Sequence, residues 1–197
     1  MRRFGAVLMV ASTCLAGGSG LIDAIKDQDR KAVMSLLQAH ADVNAALPDG
    51  STPLAWAAYE NDAQTVDLLL KAGAKVNIAN EYGETPLTLA SAVANASIVE
   101  KLLSAGADAN TARGGGETAL MIAAGSGNPR IVRMLIEHGA KVDAVESRKG
   151  QNALMWAAAR GQSDAIEVLL KALIARRSRS FSVVSPSLSR MFVSTTS

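Results

Sequence analysis

The sequence predicts an all-α solenoid, in which about five helix pairs joined by short turns stack side by side. Three observations carry this expectation. The first is a period: Gly50, Gly83 and Gly116 are 33 residues apart and Gly150 follows after 34, while Leu54, Leu87, Leu120, Leu154 and Ala57, Ala90, Ala123, Ala157 keep the same steps. The second is that every period holds two short apolar patterns of helical spacing, such as Val66, Leu69 and Leu70 in a second helix. The third is the scarcity of aromatic residues, 4% of 197, with Phe4, Phe181 and Phe192 all outside 17–172. A core of Ala, Leu, Val and Ile suits thin, closely packed helices, and one such pair cannot bury its faces without a neighbour.

Residues 1–20, MRRFGAVLMVASTCLAGGSG, have two arginines, a short apolar run and a small-residue zone. This is the pattern of a secretory signal peptide of bacterial type, assigned to 1–16 with cleavage after Ala16 and possibly as late as 20. It predicts a secreted or periplasmic location. The apolar run is shorter than the roughly 20 residues of a membrane span. Cys14 raises a lipoprotein reading, but the preceding Ala11, Ser12 and Thr13 do not supply the Leu and the Gly or Ala usually found before a lipidated cysteine.

The repeat region is assigned to 17–172, in units of about 17–44, 45–77, 78–110, 111–143 and 144–172. In the first unit a helix pair begins at once. Ser19 falls under Thr52 and is expected to cap it, and Lys26, Asp27, Asp29, Arg30 and Lys31 solvate the open end. In the second, Gly50 makes a turn, Thr52 caps a helix and Pro53 takes its first position, where a missing N–H costs nothing. Thr85-Pro86 repeats this arrangement, whereas Thr118-Ala119 and Asn152-Ala153 keep only the cap. Gly73, Gly106 and Gly139 stand where a left-handed helix end is wanted. The extra residue of the 34-residue step lies between Asp143 and Gly150. In the fifth unit Leu173 replaces the capping glycine, so Leu173, Ile174 and Ala175 are expected to prolong the helix into a Ser/Arg-rich tail over 173–197. A disordered native tail and a changed reading frame or truncated gene end both fit the abrupt change of composition.

The stretches DGSTPLAWAAYENDAQTVDLLLKAGAKVN, YGETPLTLASAVANASIVEKLLSAGADAN and GGETALMIAAGSGNPRIVRMLIEHGAKVD resemble ankyrin repeats, and the resemblance runs over about 21–172. It implies a non-catalytic module that binds a partner protein in a concave groove, lined by turn tips and the exposed side of the first helices. Transferred residue by residue, those positions are Pro48, Asp49, Ser51, Tyr59 and Glu60, then Glu81, Tyr82, Glu84, Ala92 and Val93. The fourth unit supplies Gly114, Gly115, Glu117, Gly125 and Ser126, and the fifth Arg148, Lys149, Gln151, Ala159 and Arg160. Charge along this groove is acidic at first, nearly absent in the fourth unit and basic at the end. Tyr59 and Tyr82 are the expected aromatic anchors, since low-entropy aromatics dominate many interfaces. Trp56 and Trp156 are instead expected between the two helices of their own repeats, with each N–H finding an acceptor.

The chain's net charge of +2 conceals an acidic body. Six of its 20 basic residues lie outside 17–172, leaving 14 against 18 acidic side chains, a net of −4. Such a body is a poor match for nucleic acid. One cysteine cannot make an internal disulfide, and His40 and His138 are three repeats apart, too distant to share a metal. Gly114-Gly115-Gly116 has no following Lys-Ser or Lys-Thr, and Gly125-Ser126-Gly127 ends a helix where a nucleophile elbow would begin one. No cofactor, metal or catalytic residue is therefore expected. The chain is expected to be a monomer that binds another protein. The alternatives are a cell-envelope scaffold protecting an envelope enzyme and, more remotely, an enzyme with an unrecognised site.

Overall fold

The computed structural model describes residues 19–184, with side chains placed over 20–177. The signal peptide at 1–16, Cys14 and the tail beyond 184 lie outside the described residues. Ten α-helices form five pairs: α1 (Ser19–Lys26) with α2 (Arg30–Gln38), α3 (Pro53–Tyr59) with α4 (Ala63–Lys71), and α5 (Pro86–Ala92) with α6 (Ala96–Ser104). They continue with α7 (Ala119–Ser126) and α8 (Pro129–Glu137), then α9 (Ala153–Ala159) and α10 (Ser163–Val184). The odd-numbered helices pack in succession to make one layer, and the even-numbered helices make a second behind it.

The helices are too short to be stable alone, so caps and stacking hold them. Thr52, Thr85, Thr118 and Asn152 each accept a backbone N–H in the first turn of α3, α5, α7 and α9. Asp29, Asp62, Asn95 and Asn128 do the same for α2, α4, α6 and α8. In the first unit α1 already includes Ser19, so the expectation that this residue stands before the helix as its cap is not met. Leu54, Leu87 and Leu120 are each 1% exposed, and Leu69, Leu102, Leu135 and Leu169 are wholly buried behind them. These columns form one continuous core from Leu21 to Leu169. Truncating any of these leucines to Ala is expected to cost about 2–5 kcal/mol.

Two ladders run along the stack. On one side, Asn44, Asn77 and Asn110 each accept the N–H of a residue in the next unit, Lys75, Asp108 and Lys141, at 2.8–2.9 Å. On the other side lie the hairpin tips, each a tight turn with a glycine at positive φ. Glu81 N–H donates to Asp49 O at 2.8 Å, Gly114 N–H to Tyr82 O at 2.9 Å and Ser147 N–H to Gly115 O at 2.9 Å. The fifth tip carries the extra residue. Its turn closes from Glu146 to Gln151, whereas its predecessor closes from Arg113 to Glu117.

At the far end, α10 passes Leu173 without a break and continues to Val184. Arg176 on this extension donates to Asp143, which occupies the same column as Asn77 and Asn110. The helix thus takes over the contact that a further unit would make. Met155, Leu170 and Ile174 are exposed on this unit, the last among the described residues.

Candidate functional site

The face of the odd-numbered helices that turns away from the core is set by helical spacing. In α3, Leu54, Ala57 and Ala58 are at most 1% exposed and mark the buried stripe. Trp56, two residues after Leu54, is turned away from it. It lines a pocket of about 200 Å³ with Asp49, Ser51, Ala55 and Tyr59 from its own unit and Asn80, Tyr82, Glu84 and Leu89 from the next. Its ring meets that of Tyr59 edge to face, with centroids 5.7 Å apart, and Lys26 of the first unit lies 4.1 Å from its centroid. Trp56 is partly buried against the core, as expected of packing within its repeat, and also opens onto this pocket. The expectation that its N–H finds an acceptor is not met, because Nε1 is buried and has no hydrogen-bond partner.

The polar rim of this pocket is built by the turns. Asp49 accepts Ser51 N–H and the Ser51 hydroxyl, each at 2.9 Å. The backbone bond from Ser51 is the main cause that holds the Asp49 carboxyl below its ordinary value, keeping it charged at neutral pH. Asn80 Oδ1 accepts Tyr82 N–H and Glu84 N–H at 3.0 and 2.8 Å, while its amide donates to Glu84 at 3.2 Å. Tyr82 and Tyr59 are 62% and 55% exposed, so both rings stand ready to touch a visitor. The Tyr82 phenol is pushed above its ordinary pKa, first by a hydrogen bond with Glu81, and it stays neutral. Glu60 ends α3 outside the pocket.

A second cavity, about 410 Å³, opens further along between α5, α7 and α9. Ala92, Arg113, Glu117, Ile122, Ser126, Trp156 and Arg160 line it. Trp156 repeats the placement of Trp56, partly buried against the core and bordering a cavity. Its ring lies under the Arg160 guanidinium at 5.0 Å. Its Nε1 is likewise buried without a partner. The fourth unit is also less bare than its sequence suggests. Arg113, missed in the sequence reading, lies 3.6 Å from Glu84 and 3.9 Å from Glu117, so it neutralises part of the acidic stretch. Its column in the hairpin, shared with Asn80 and Glu146, was the available signal.

Arg148, Lys149 and Gln151 line neither cavity. They form the fifth tip, where the buried carboxylate of Glu146 accepts their three backbone N–H groups at 2.6–3.0 Å. Those bonds, that from Gln151 foremost, lower the Glu146 pKa. Gly114 and Gly115 mark a close approach between neighbouring turns: a Cβ on Gly83 would lie 3.0 Å from Gly114 N. Among the described residues no group of three or more His, Cys, Asp or Glu is placed to hold a metal ion, and no helix is long and apolar enough to cross a membrane.

A comparison with curated proteins found no match. The family model for ankyrin repeats, three copies, matches residues 21–113 and again 89–177. Together those matches cover residues 21–177, well over half of the chain, and the chain belongs to the ankyrin-repeat family.

Proposed function

We propose that this chain is a non-catalytic binding module that grips a partner protein in its groove, with Tyr59 and Tyr82 as anchors. Ankyrin repeats are generally protein-interaction modules. The observation that carries the finer reading is the pocket between the second and third units. Two exposed tyrosines flank a half-buried tryptophan there, with Asp49 and Glu84 on the rim. Aromatic walls and carboxylates together favour a cationic segment of the partner, because a ring face attracts a cation and an acidic field steers it inward. Lys26 already places its ammonium on Trp56, a contact of the same chemistry made within the chain. The groove needs no rearrangement to bind, since its turns are tied to one another.

The chain acts as a monomer outside the cytoplasm, exported by the segment 1–16. The experiment is affinity capture from a periplasmic extract with the wild-type chain and with Tyr59→Ala/Tyr82→Ala. One stoichiometric partner, lost in the double variant, is the expected result. Unchanged capture by the variant contradicts the groove assignment. A set of many weakly held envelope proteins supports the scaffold reading instead.

A further inference from the structure

The groove holds a second feature that the basic-segment reading does not use. Trp156 Nε1 and Arg113 Nε are both buried donors that make no hydrogen bond, Arg113 Nε facing Glu84 only at 3.6 Å, and both belong to side chains lining the cavity between α5, α7 and α9. Buried donors are nearly always satisfied, because each unmade bond leaves its desolvation uncompensated. Two in one cavity point to an acceptor that arrives from outside. Arg160 supplies charge at the same place. Its guanidinium lies over Trp156, it is exposed, and no ion-pair partner for it occurs among the described residues. Gly125 makes this pose possible, since a Cβ there would stand 2.0 Å from Arg160 Nη1. The two carboxylates near Arg113 stop at 3.6 and 3.9 Å, beyond hydrogen-bond length, so its guanidinium retains donor capacity. Trp56 provides the contrast. Its pocket is lined by Asp49 and Glu84 and by no arginine, whereas here two arginines, Arg113 and Arg160, stand against the one lining carboxylate of Glu117.

We infer that the Arg113–Trp156–Arg160 cavity is a carboxylate-binding site, filled by an acidic side chain of a protein partner. A carboxylate supplies several acceptor positions to a guanidinium and an indole N–H, and charge-assisted bonds of this kind are the strong ones. The site gives the groove a polarity: cation at the second and third units, anion at the fourth and fifth.

The chain has two tryptophans, so Trp56→Phe leaves Trp156 as a reporter inside the site. Its emission would be titrated at constant ionic strength with the capped tripeptide Ac-Gly-Glu-Gly-NH2, its Gln counterpart and acetate. A saturable change with the Glu peptide is expected, weaker by about tenfold with Gln and by about tenfold when Arg160→Gln is added. Circular dichroism and melting of the Arg160→Gln chain are expected to match its parent, which separates lost binding from lost fold. Equal responses to Glu and Gln, or none to either, would overturn the site. Acetate binding as tightly as the Glu peptide would overturn the assignment to a protein side chain. Neither Tyr59 nor Tyr82 lines this cavity, so Tyr59→Ala/Tyr82→Ala is expected to leave the titration unchanged, and failure here is distinguishable from failure of the proposed basic-segment contact.

Discussion

Asp62 shows how much one short side chain can do in this stack. It accepts Gln64 N–H and Thr65 N–H at 3.0 and 3.1 Å, the Thr65 hydroxyl at 2.7 Å, and both of its oxygens meet Arg30 of the preceding unit at 3.1 Å. Burial works to raise its pKa, but the hydrogen bonds from Thr65 and Arg30 outweigh it and the carboxyl lies below 3.8. Asp62→Ala is expected to cost about 1–2 kcal/mol in urea unfolding, the loss of a helix cap. Asp62→Asn keeps the cap, as Asn95 and Asn128 do, and should cost less. The sign of the pH effect follows from the lowered pKa: the stabilisation is complete at neutral pH and disappears as pH falls below 3.8 through the folded value. Glu146 follows the same rule. Glu146→Gln is expected to lower the melting temperature at pH 7, and the gap to wild type should close as pH falls below 4.5. The caps were legible in the sequence as residue types at fixed columns. The role of Glu146 was not, because its partners are backbone groups of a turn that only its extra residue creates.

At the scale of elements, the end of each first helix passes through positive φ, at Gln28, Asn61, Ala94, Gly127 and Gly161. Ala94, like Gln28, is a misfit of this column, with φ at 58° and a Cβ that the left-handed region disfavours. Ala94→Gly is therefore expected to stabilise the chain by about 0.5–1 kcal/mol, the strain relieved being larger than the entropy added to the unfolded chain. The hairpin tips set the opposite case. Gly83 has φ of +75°, and its missing Cβ lets Gly114 N approach Tyr82 O, so Gly83→Ala should cost at least about 1 kcal/mol. Both changes can be read from melting curves and would be expected to add, since they affect separate turns. Element positions were readable because glycine, threonine and proline recur at the period. The placement of Trp56 and Trp156 was readable only in part, from a similarity of column that suggested core packing. Spacing alone does not decide it, because Pro53, Leu54, Ala55, Ala57 and Ala58 are all buried in α3 and Trp56 is partly buried against the same core.

For the whole molecule, five units give a rigid curved surface whose chemistry changes along its length. The acidic, aromatic beginning follows directly from the residues. The middle does not, because Arg113 links Glu84 to Glu117 only after the third and fourth units have stacked. The fifth unit ends the series by running α10 on past Leu173 and tying Arg176 to Asp143, so its exposed Met155, Leu170 and Ile174 face away from the core. The groove and the helix layer behind it thus offer a partner two distinct surfaces, and the account requires the first. Amide hydrogen exchange on the complex with the captured partner tests this most directly. Slowed exchange is expected in α3, α5 and the tips at 47–51 and 80–84, with α4, α6 and α8 unchanged. Slowing confined to α4, α6 and α8, with the tips unaffected, would contradict the account.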